Sequence, residues 1–324
     1  MTARPIVVVT RRLPEPVELE LQRDFDARLN TDDRPLGSEG LREALRTADA
    51  VLCTVTDRIT AETLAVEPLK ARILANFGVG FNHIDTAAAK ARGIAVSNTP
   101  DVLTDSTADL AMALLLAVAR RVGEGERHLR AGEWTGWRPT HMLGTQVSGK
   151  TLGLVGLGRI ARAVAQRARH GFGMRVIFHD PYPPPPDTVA ALGVESRDSL
   201  EQVLREADFV SLHCPATPET RHLMNRARLS LMRPAAFLIN TARGDVVDEA
   251  ALVEALQARR IAGAALDVFE AEPQVTPALL AMENVVLLPH LGSATQETRV
   301  AMGLRALENL RLFFRGAPLR DSVG

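Results

Sequence analysis

One stretch restricts the possible folds of this chain more than any other: KTLGLVGLGRIARAVAQRARHG, residues 150–171. An apolar run enters a pair of glycines and leaves in a helical pattern. It reads G-x-G-x-x-A at Gly156, Gly158 and Ala161. In such a turn the first glycine allows the sharp change of direction and the second lets the backbone approach a pyrophosphate. The third small residue lets the helix pack closely on the strand. The helix start supplies backbone N–H groups and the positive end of its dipole. Alone, the pattern is a Gly-rich turn. Its context makes it more, because MRVIFHD follows as a second strand and ends at Asp180, 24 positions after Gly156. That is close to the spacing of the acid that binds a ribose 2′-hydroxyl. Asp180 could also be a turn-opening residue before Pro181, but the combination points to a bound dinucleotide. A carboxylate at this place repels a 2′-phosphate, and the next basic residue is Arg197, beyond the proline run 183–186. NAD is therefore expected, with NADP less favoured.

The rest of the chain repeats the same grammar. PIVVVT, AVLCTV, ARILAN and IAVSNT read as short buried strands, each followed by or preceded by a helical pattern. A long apolar helix is expected from about Ser106 to Arg121. A second alternating set holds KTLGLVGLG, MRVIFHD, ADFVSLHCP, AAFLINTA, IAGAALDVF and ENVVLLPH, and the tail SATQETRVAMGLRALENLRLFFRG reads as one amphipathic helix. Strands alternating with helices imply βαβ units and parallel sheets. With 324 residues, two cores are expected rather than one. The proline run reads as a stiff turn, and AGEWTGWRPTHMLGTQVSG as an arm or loop with little periodicity.

Composition removes several function classes. The formal net charge is −1, so no basic excess suggests nucleic acid or an anionic membrane as partner. The apolar runs at the N-terminus and at Leu110–Ala119 are too short for a signal peptide or a bilayer span. Two cysteines, Cys53 and Cys214, make no disulfide framework and suit a reducing compartment, so a cytoplasmic location is expected. His213, Cys214 and His222 follow no common zinc spacing, and no metal is expected.

Three charged residues stand where apolar strands run out. Arg243 ends FLINTARG, Glu272 lies in LDVFEAEP, and His290 ends VVLLPH. Each alone could be a turn or loop residue on the surface. In an open parallel sheet, however, ligands bind beyond the carboxyl ends of the strands. Together with a dinucleotide loop, these three types could clamp an anion, donate a proton and steady the donor, as carbonyl reduction requires.

Six motifs in order, NFGVGFNHID, GKTLGLVGLGRIARAVA, LHCPATPET, LINTARGDVVDEAAL, ALDVFEAEP and LLPHLGSAT, span residues 73–295. In this the chain resembles the D-isomer-specific 2-hydroxyacid dehydrogenases, most closely their glyoxylate and hydroxypyruvate reductase branch. The resemblance implies two Rossmann-like, doubly wound α/β domains, the first discontinuous. Residues 1–101 and 290–324 would form the substrate-binding domain and residues 102–289 the NAD-binding domain. It implies reduction of a small 2-oxo acid by hydride transfer, with His290 as proton donor, Glu272 holding the imidazolium, and Arg243 pairing with the substrate. Val79 and Gly80 would offer backbone N–H groups to the substrate carboxylate. Asp267 would meet the nicotinamide carboxamide, and Thr107, Arg159, Ile160, His213, Pro215, Thr241, Ala242 and Gly292 would complete the cofactor contacts. A homodimer is implied, with residues 134–149 as its arm and Trp134 or Trp137 reaching the neighbouring site. The residues around Leu52, Cys53 and Trp137 would shape the pocket. Ala161 in the third glycine's place departs from the family pattern but keeps its size. Two other readings remain open at this stage: a reductase of bulkier 2-oxo acids, and an NAD-sensing binding protein of the corepressor type.

Overall fold

The computed structural model describes residues 3–324. Its strands are short, apolar and mostly buried on both faces, the composition that a parallel sheet flanked by helices demands. Contacts divide the chain into two units, Met1–Leu103 with Ala294–Gly324, and Thr104–Ser293. The cuts fall two residues after the first boundary expected from sequence and four after the second. The reason is local: the helix Thr104–Ala119 opens the second unit, and the turn at residues 290–292 is tied by hydrogen bonds to Asp267 and Thr107.

In the first unit the strands are β1 (Ile6–Val9), β2 (Asp26–Arg28), β3 (Ala50–Thr54), β4 (Ile73–Phe77) and β5 (Ala95–Ser97). They lie in the order β2-β1-β3-β4-β5, all parallel. The C-terminal helix Gln296–Phe314 returns to this unit and packs against β4. Its buried face carries Met302, Ala306, Leu307 and Leu310, a helical spacing that fits the amphipathic reading of the tail. The sequence reading offers no element at Gly37–Thr47, which is a helix burying Leu41, Ala44 and Leu45. The helix expected over TAETLAVEPL is a single turn, Ala61–Leu64, capped by the Thr60 hydroxyl.

The second unit holds β6 (Thr151–Val155), β7 (Arg175–His179), β8 (Glu195–Ser196), β9 (Phe209–Leu212), β10 (Phe237–Asn240), β11 (Gly263–Leu266) and β12 (Val285–Leu287). The order is β12-β11-β10-β9-β6-β7-β8, again parallel throughout. The strand order reverses direction at β6 and β9, so the crevice beyond their carboxyl ends is the place where this architecture binds ligands. Register lines those ends up: Val155 pairs with His179 and Leu212, Leu212 with Asn240, and Asn240 with Leu266. Two cores cover the faces of this sheet. One is built on Leu114, Leu115, Leu152 and Phe178, the other on Leu204, Val210, Leu238 and Leu252. The proline run does more than turn, since Pro185 precedes and Pro186 opens the helix Pro186–Leu192, where a missing N–H costs nothing. Residues 122–130 form a further helix with no buried residue, followed by the arm, which has no helix or strand over 131–150. Among the described residues, no helix is long and apolar enough to cross a membrane.

Candidate active site

The glycine loop leaves β6 as expected. Gly156 has φ 90°, a left-handed value that favours glycine. A Cβ there would also stand 3.1 Å from the carbonyl oxygen of His213, so the loops after β6 and β9 touch at the switch point. Gly158 caps the helix Arg159–Phe172 without a side-chain bond, and a Cβ on it would meet nothing within 4 Å. The helix start therefore faces open space, and a helix leaves its first N–H groups without intrahelical acceptors. Arg159 is the first residue of this helix, and Ile160, half-buried, packs against the core. Asp180 stands just past β7. One of its carboxylate oxygens accepts from the Leu157 N–H at 2.7 Å and the other from the Tyr182 N–H at 2.8 Å. The acid thus fixes the glycine loop as well as facing it.

Arg197, the next basic residue after Asp180, donates to Glu206 at 2.7 and 2.8 Å and to Glu195 at 3.1 Å. Its guanidinium is committed to those carboxylates. His213 bonds to the Ser211 hydroxyl at 2.9 Å, and burial pushes its pKa down to about 4, so the ring is neutral near pH 7. Pro215 is exposed, and its carbonyl accepts from Thr220 at 2.6 Å.

Beyond β10, Asn240 is fully buried and folds the next loop. Its Oδ1 accepts from the Ala242 N–H at 3.0 Å and its Nδ2 donates to the Arg243 carbonyl at 2.9 Å. Between them, the buried Thr241 hydroxyl is one of the few side-chain polar atoms with no hydrogen-bond partner among the described residues. A buried hydroxyl in that state calls for a partner. Arg243 is half-buried and donates to the Ala242 carbonyl at 2.6 Å. Burial pulls its pKa down, against the charges of Glu272 and Asp245, which raise it.

Glu272 and His290 meet. The His290 Nδ1 lies 2.9 Å from Glu272 Oε2, and Glu272 Oε1 accepts from the Phe269 N–H at 3.0 Å. Burial raises the Glu272 pKa, but the hydrogen bond and charge of His290, with the Phe269 N–H and the charge of Arg243, hold it below the ordinary glutamate value. His290 sits in left-handed backbone, φ 55°, a conformation that costs free energy for a residue other than glycine and needs support from its surroundings. Asp267 gives that support. Its carbonyl accepts from the His290 N–H at 2.9 Å. Its carboxylate accepts from Leu291 at 2.6 Å and Gly292 at 2.8 Å. The Thr107 hydroxyl donates to the Gly292 carbonyl at 3.1 Å. Burial raises the Asp267 pKa against those two N–H bonds. In the structure Asp267, Thr107 and Gly292 thus brace the histidine turn. The sequence reading gives them only to the cofactor.

Two structural residues of this loop cluster escape a motif reading. A Cβ on Gly244 would stand 1.9 Å from the Phe269 carbonyl carbon, so the Arg243 turn and the Glu272 loop are in backbone contact. Buried Glu249 accepts from the Glu270 N–H at 2.7 Å and from the Thr276 hydroxyl, spanning the loop that carries Glu272. Both lie inside RGDVVDE, and the acid buried at a helix start was the available signal.

The second unit matches the family described as D-isomer specific 2-hydroxyacid dehydrogenase, NAD binding domain, over residues 112–292. The glyoxylate reductase of Thermococcus litoralis is 46% identical over 317 residues, 97% of this chain and 95% of that protein. The glyoxylate reductase of Korarchaeum cryptofilum is 48% identical over 316 residues, 97% and 94% of the two chains. The chain belongs to the D-isomer specific 2-hydroxyacid dehydrogenases. Like them it is an oxidoreductase with a domain for a nicotinamide dinucleotide. Among solved structures it resembles an NADPH-dependent glyoxylate/hydroxypyruvate reductase from Sinorhizobium meliloti, in complex with NADP and malonate. There the TM-score is 0.88 at 36% identity, covering 99% of this chain and 97% of that one.

In the first unit, Val79 and Gly80, expected to meet the substrate carboxylate, are half-buried just past β4. Leu52 and Cys53, around which pocket residues are expected, reach no surface themselves. Both are completely buried inside β3, because a central parallel strand is covered on both faces.

Proposed function

We propose that this chain reduces a small 2-oxo acid, glyoxylate or hydroxypyruvate, to the 2-hydroxy acid, the D-isomer where the product is chiral, with NADH as the reductant. The observation that carries the reading is the bond from His290 Nδ1 to Glu272 Oε2 at 2.9 Å. It orients the ring so that Nε2 is left to exchange a proton with substrate, the arrangement a general acid needs. Arg243, next in the cluster, pairs with the carboxylate and carbonyl of the oxo acid through its planar fork. Its partly desolvated guanidinium strengthens that pairing. In the first unit, the N–H groups of Val79 and Gly80 bind the carboxylate.

The bound dinucleotide supplies the hydride. The residues fit such a group: the open helix start after Gly158, the tight cradle at Gly156 and the orphaned Thr241 hydroxyl are places for phosphate and ribose oxygens. Gly156, Gly158, Arg159 and Ile160 hold the pyrophosphate and Asp180 the ribose. Asp267 would meet the nicotinamide carboxamide, and Thr107, His213, Pro215, Thr241, Ala242 and Gly292 would complete the contacts to the dinucleotide. The Asp267 oxygens each accept one N–H and keep lone pairs for a carboxamide. NAD is favoured over NADP because Asp180 repels a 2′-phosphate and Arg197 is paired elsewhere. During turnover His290 gives its Nε2 proton to the forming alkoxide, while Glu272 keeps the ring from rotating and balances its charge. The proposal includes a homodimer, supported by the exposed apolar residues Val122, Leu129, Trp134, Trp137 and Leu143 on and after the helix 122–130. The two thiols, both free, suit a reducing cytoplasm.

The deciding experiment is a panel of kcat/KM values with NADH and NADPH against glyoxylate, hydroxypyruvate, pyruvate and phenylpyruvate. Glyoxylate or hydroxypyruvate with NADH should rank first. Phenylpyruvate at the head of the ranking would reject the substrate class, and a preference for NADPH would reject the cofactor choice. Within the same assay Arg243→Lys should lose about 2–4 kcal/mol of transition-state binding, by analogy with loss of one oxyanion donor. Activity within about threefold of wild type would remove Arg243 from the site.

A further inference from the structure

Each carbonyl of the loop Gly78–Gly80 is held by a donor of the protein. The fully buried Asn76 side chain donates through Nδ2 to the carbonyls of Gly78 and Gly80, each at 3.0 Å. The Gly78 carbonyl also accepts from the Thr99 N–H at 3.0 Å. The Val79 carbonyl accepts from Asn98 Nδ2 at 2.9 Å. A trans peptide is planar, and its N–H points opposite to its C=O. Holding the Gly78 carbonyl therefore aims the Val79 N–H the other way, and holding the Val79 carbonyl does the same for the Gly80 N–H. Two successive N–H groups facing away from the protein's own acceptors make a small anion-binding surface.

Asn76 can do this in only one orientation of its amide. With Nδ2 spent on two carbonyls, Oδ1 faces His83 Nε2 at 3.0 Å. An amide oxygen only accepts, so His83 Nε2 must carry the hydrogen and donate it. The two carbonyls exclude the flipped amide, which would present its oxygen to theirs, and the His83 N–H adds a bond that holds Oδ1 in place.

We propose that Asn76, kept in orientation by His83, is a positioning residue that turns the Val79 and Gly80 N–H groups toward the substrate carboxylate. The inference rests on the reading above, in which this loop binds that carboxylate. Asn76→Asp is the same size but has no hydrogen to give the two carbonyls, and it sets a negative charge beneath an anion site.

The test uses the full-length enzyme saturated with NADH, with glyoxylate as substrate and oxalate as a probe that binds through carboxylate and cannot be reduced. For Asn76→Asp, the glyoxylate KM and the oxalate Kd should each rise about tenfold or more, the scale of one unmet buried hydrogen bond. The kcat should stay within about threefold, and the Kd for NADH within about twofold. Should Asn76→Asp fail to fold, the His83 pair decides. His83→Leu, which removes the donor to Oδ1, should raise both constants severalfold, and His83→Gln, which restores an N–H donor, should bring them back toward wild type. A folded Asn76→Asp with unchanged KM and oxalate Kd would overturn the proposal, as would His83→Leu and His83→Gln behaving alike. A wild type that binds oxalate yet reduces no 2-oxo acid would reject the substrate reading alone, and the oxalate Kd values would still judge the loop.

Discussion

The contact between the Arg243 turn and the Glu272 loop can be tested with a single methyl group. In Gly244→Ala the new Cβ would stand 1.9 Å from the Phe269 carbonyl carbon, 2.0 Å from its oxygen and 2.4 Å from the Glu270 nitrogen. Carbon atoms pack at about 3.5–4.0 Å, so the two backbones must separate by roughly 1.5 Å. All three atoms are main chain, and no rotamer change can relieve the overlap. Overpacking of this kind costs about 1–3 kcal/mol. For a domain of this size that is a loss of roughly 2–4 °C in Tm per kcal/mol. The functional cost should be larger. Phe269 donates its N–H to Glu272 Oε1, so any retreat of residues 269–270 carries Glu272 away from His290 or moves Arg243 on the other side. A displacement of about 1 Å in reacting groups can cost on the order of 10²-fold in rate. Steady-state kinetics with glyoxylate and NADH, NADH affinity by fluorescence and a thermal melt should be run on the same preparation. Expected are a loss of about 100-fold in kcat/KM, NADH affinity within about threefold, and a folded protein of lower Tm. A folded Gly244→Ala within about threefold of wild-type kcat/KM would show that the spacing between these loops does not govern the chemistry.

Three further outcomes are expected. Asp180→Ser combined with Pro181→Arg should raise NADPH use relative to NADH, since it removes a repelling carboxylate and adds a partner for the 2′-phosphate; an unchanged ratio of kcat/KM values would take Asp180 out of cofactor choice. Trp137→Ala should change the ranking of 2-oxo acids without weakening NADH, because Trp137 is 82% exposed and packs little within its own chain; an unchanged ranking would leave it no part in substrate selection. His213 gives a pH dependence. Its folded pKa of about 4 lies below the ordinary 6.5, so between those values the unfolded chain binds the proton first and stability is lost as pH falls. Urea midpoints measured from pH 7.5 to 4.5 should fall less steeply for His213→Gln than for wild type; parallel curves would mean His213 is not the group responsible.

What the sequence made legible follows from periodicity and from motif chemistry. Parallel strands covered on both faces are continuous apolar runs, so β1, β3, β4, β6 and β10 stand out as PIVVVT, AVLCTV, ARILAN, GLV and FLIN. Edge strands of two or three residues, β2 and β8, have exposed or half-buried side chains and leave no such run. The helix 122–130 buries nothing, so it shows no apolar stripe to read. Site residues with unusual chemistry at strand ends, Arg243, Glu272 and His290, were visible as departures from the apolar background. What was not visible is which atoms those departures occupy at home. Asp267 reads as a ligand contact, and the further work of its two oxygens, holding the Leu291 and Gly292 N–H groups, leaves no mark in the sequence. Leu52 and Cys53 read as neighbours of the pocket, and both are buried because the strand that carries them is covered on both faces. Sequence shows a residue's type and its distance along the chain, while its hydrogen-bond partners depend on which loops the sheet order makes neighbours.

That order explains a device common to both units. Three buried strands run out into a polar residue whose side chain captures a loop at the same end of the sheet. Asn76, in β4, donates to the carbonyls of Gly78 and Gly80. Asn240, ending β10, accepts from Ala242 and donates to the Arg243 carbonyl. Asp267, just past β11, accepts from Leu291 and Gly292. A buried polar group at a strand end is costly unless every bond is made, so its presence needs a compensating use. The loops beyond a parallel sheet have no ladder partners, and their backbone groups must otherwise be met by water or by the ligand. An amide or carboxylate planted at or beside the end of a rigid strand satisfies them from beneath. Such bonds hold each turn in one shape beside the groups of interest: the Val79 and Gly80 N–H groups after Asn76, the Arg243 guanidinium after Asn240, and the His290 imidazole in the turn that Asp267 holds. Electrostatic stabilisation is most effective when the stabilising groups need not reorganise during the reaction. The three polar strand ends are the means by which a sheet of apolar strands supplies that rigidity to loops that have no secondary structure of their own.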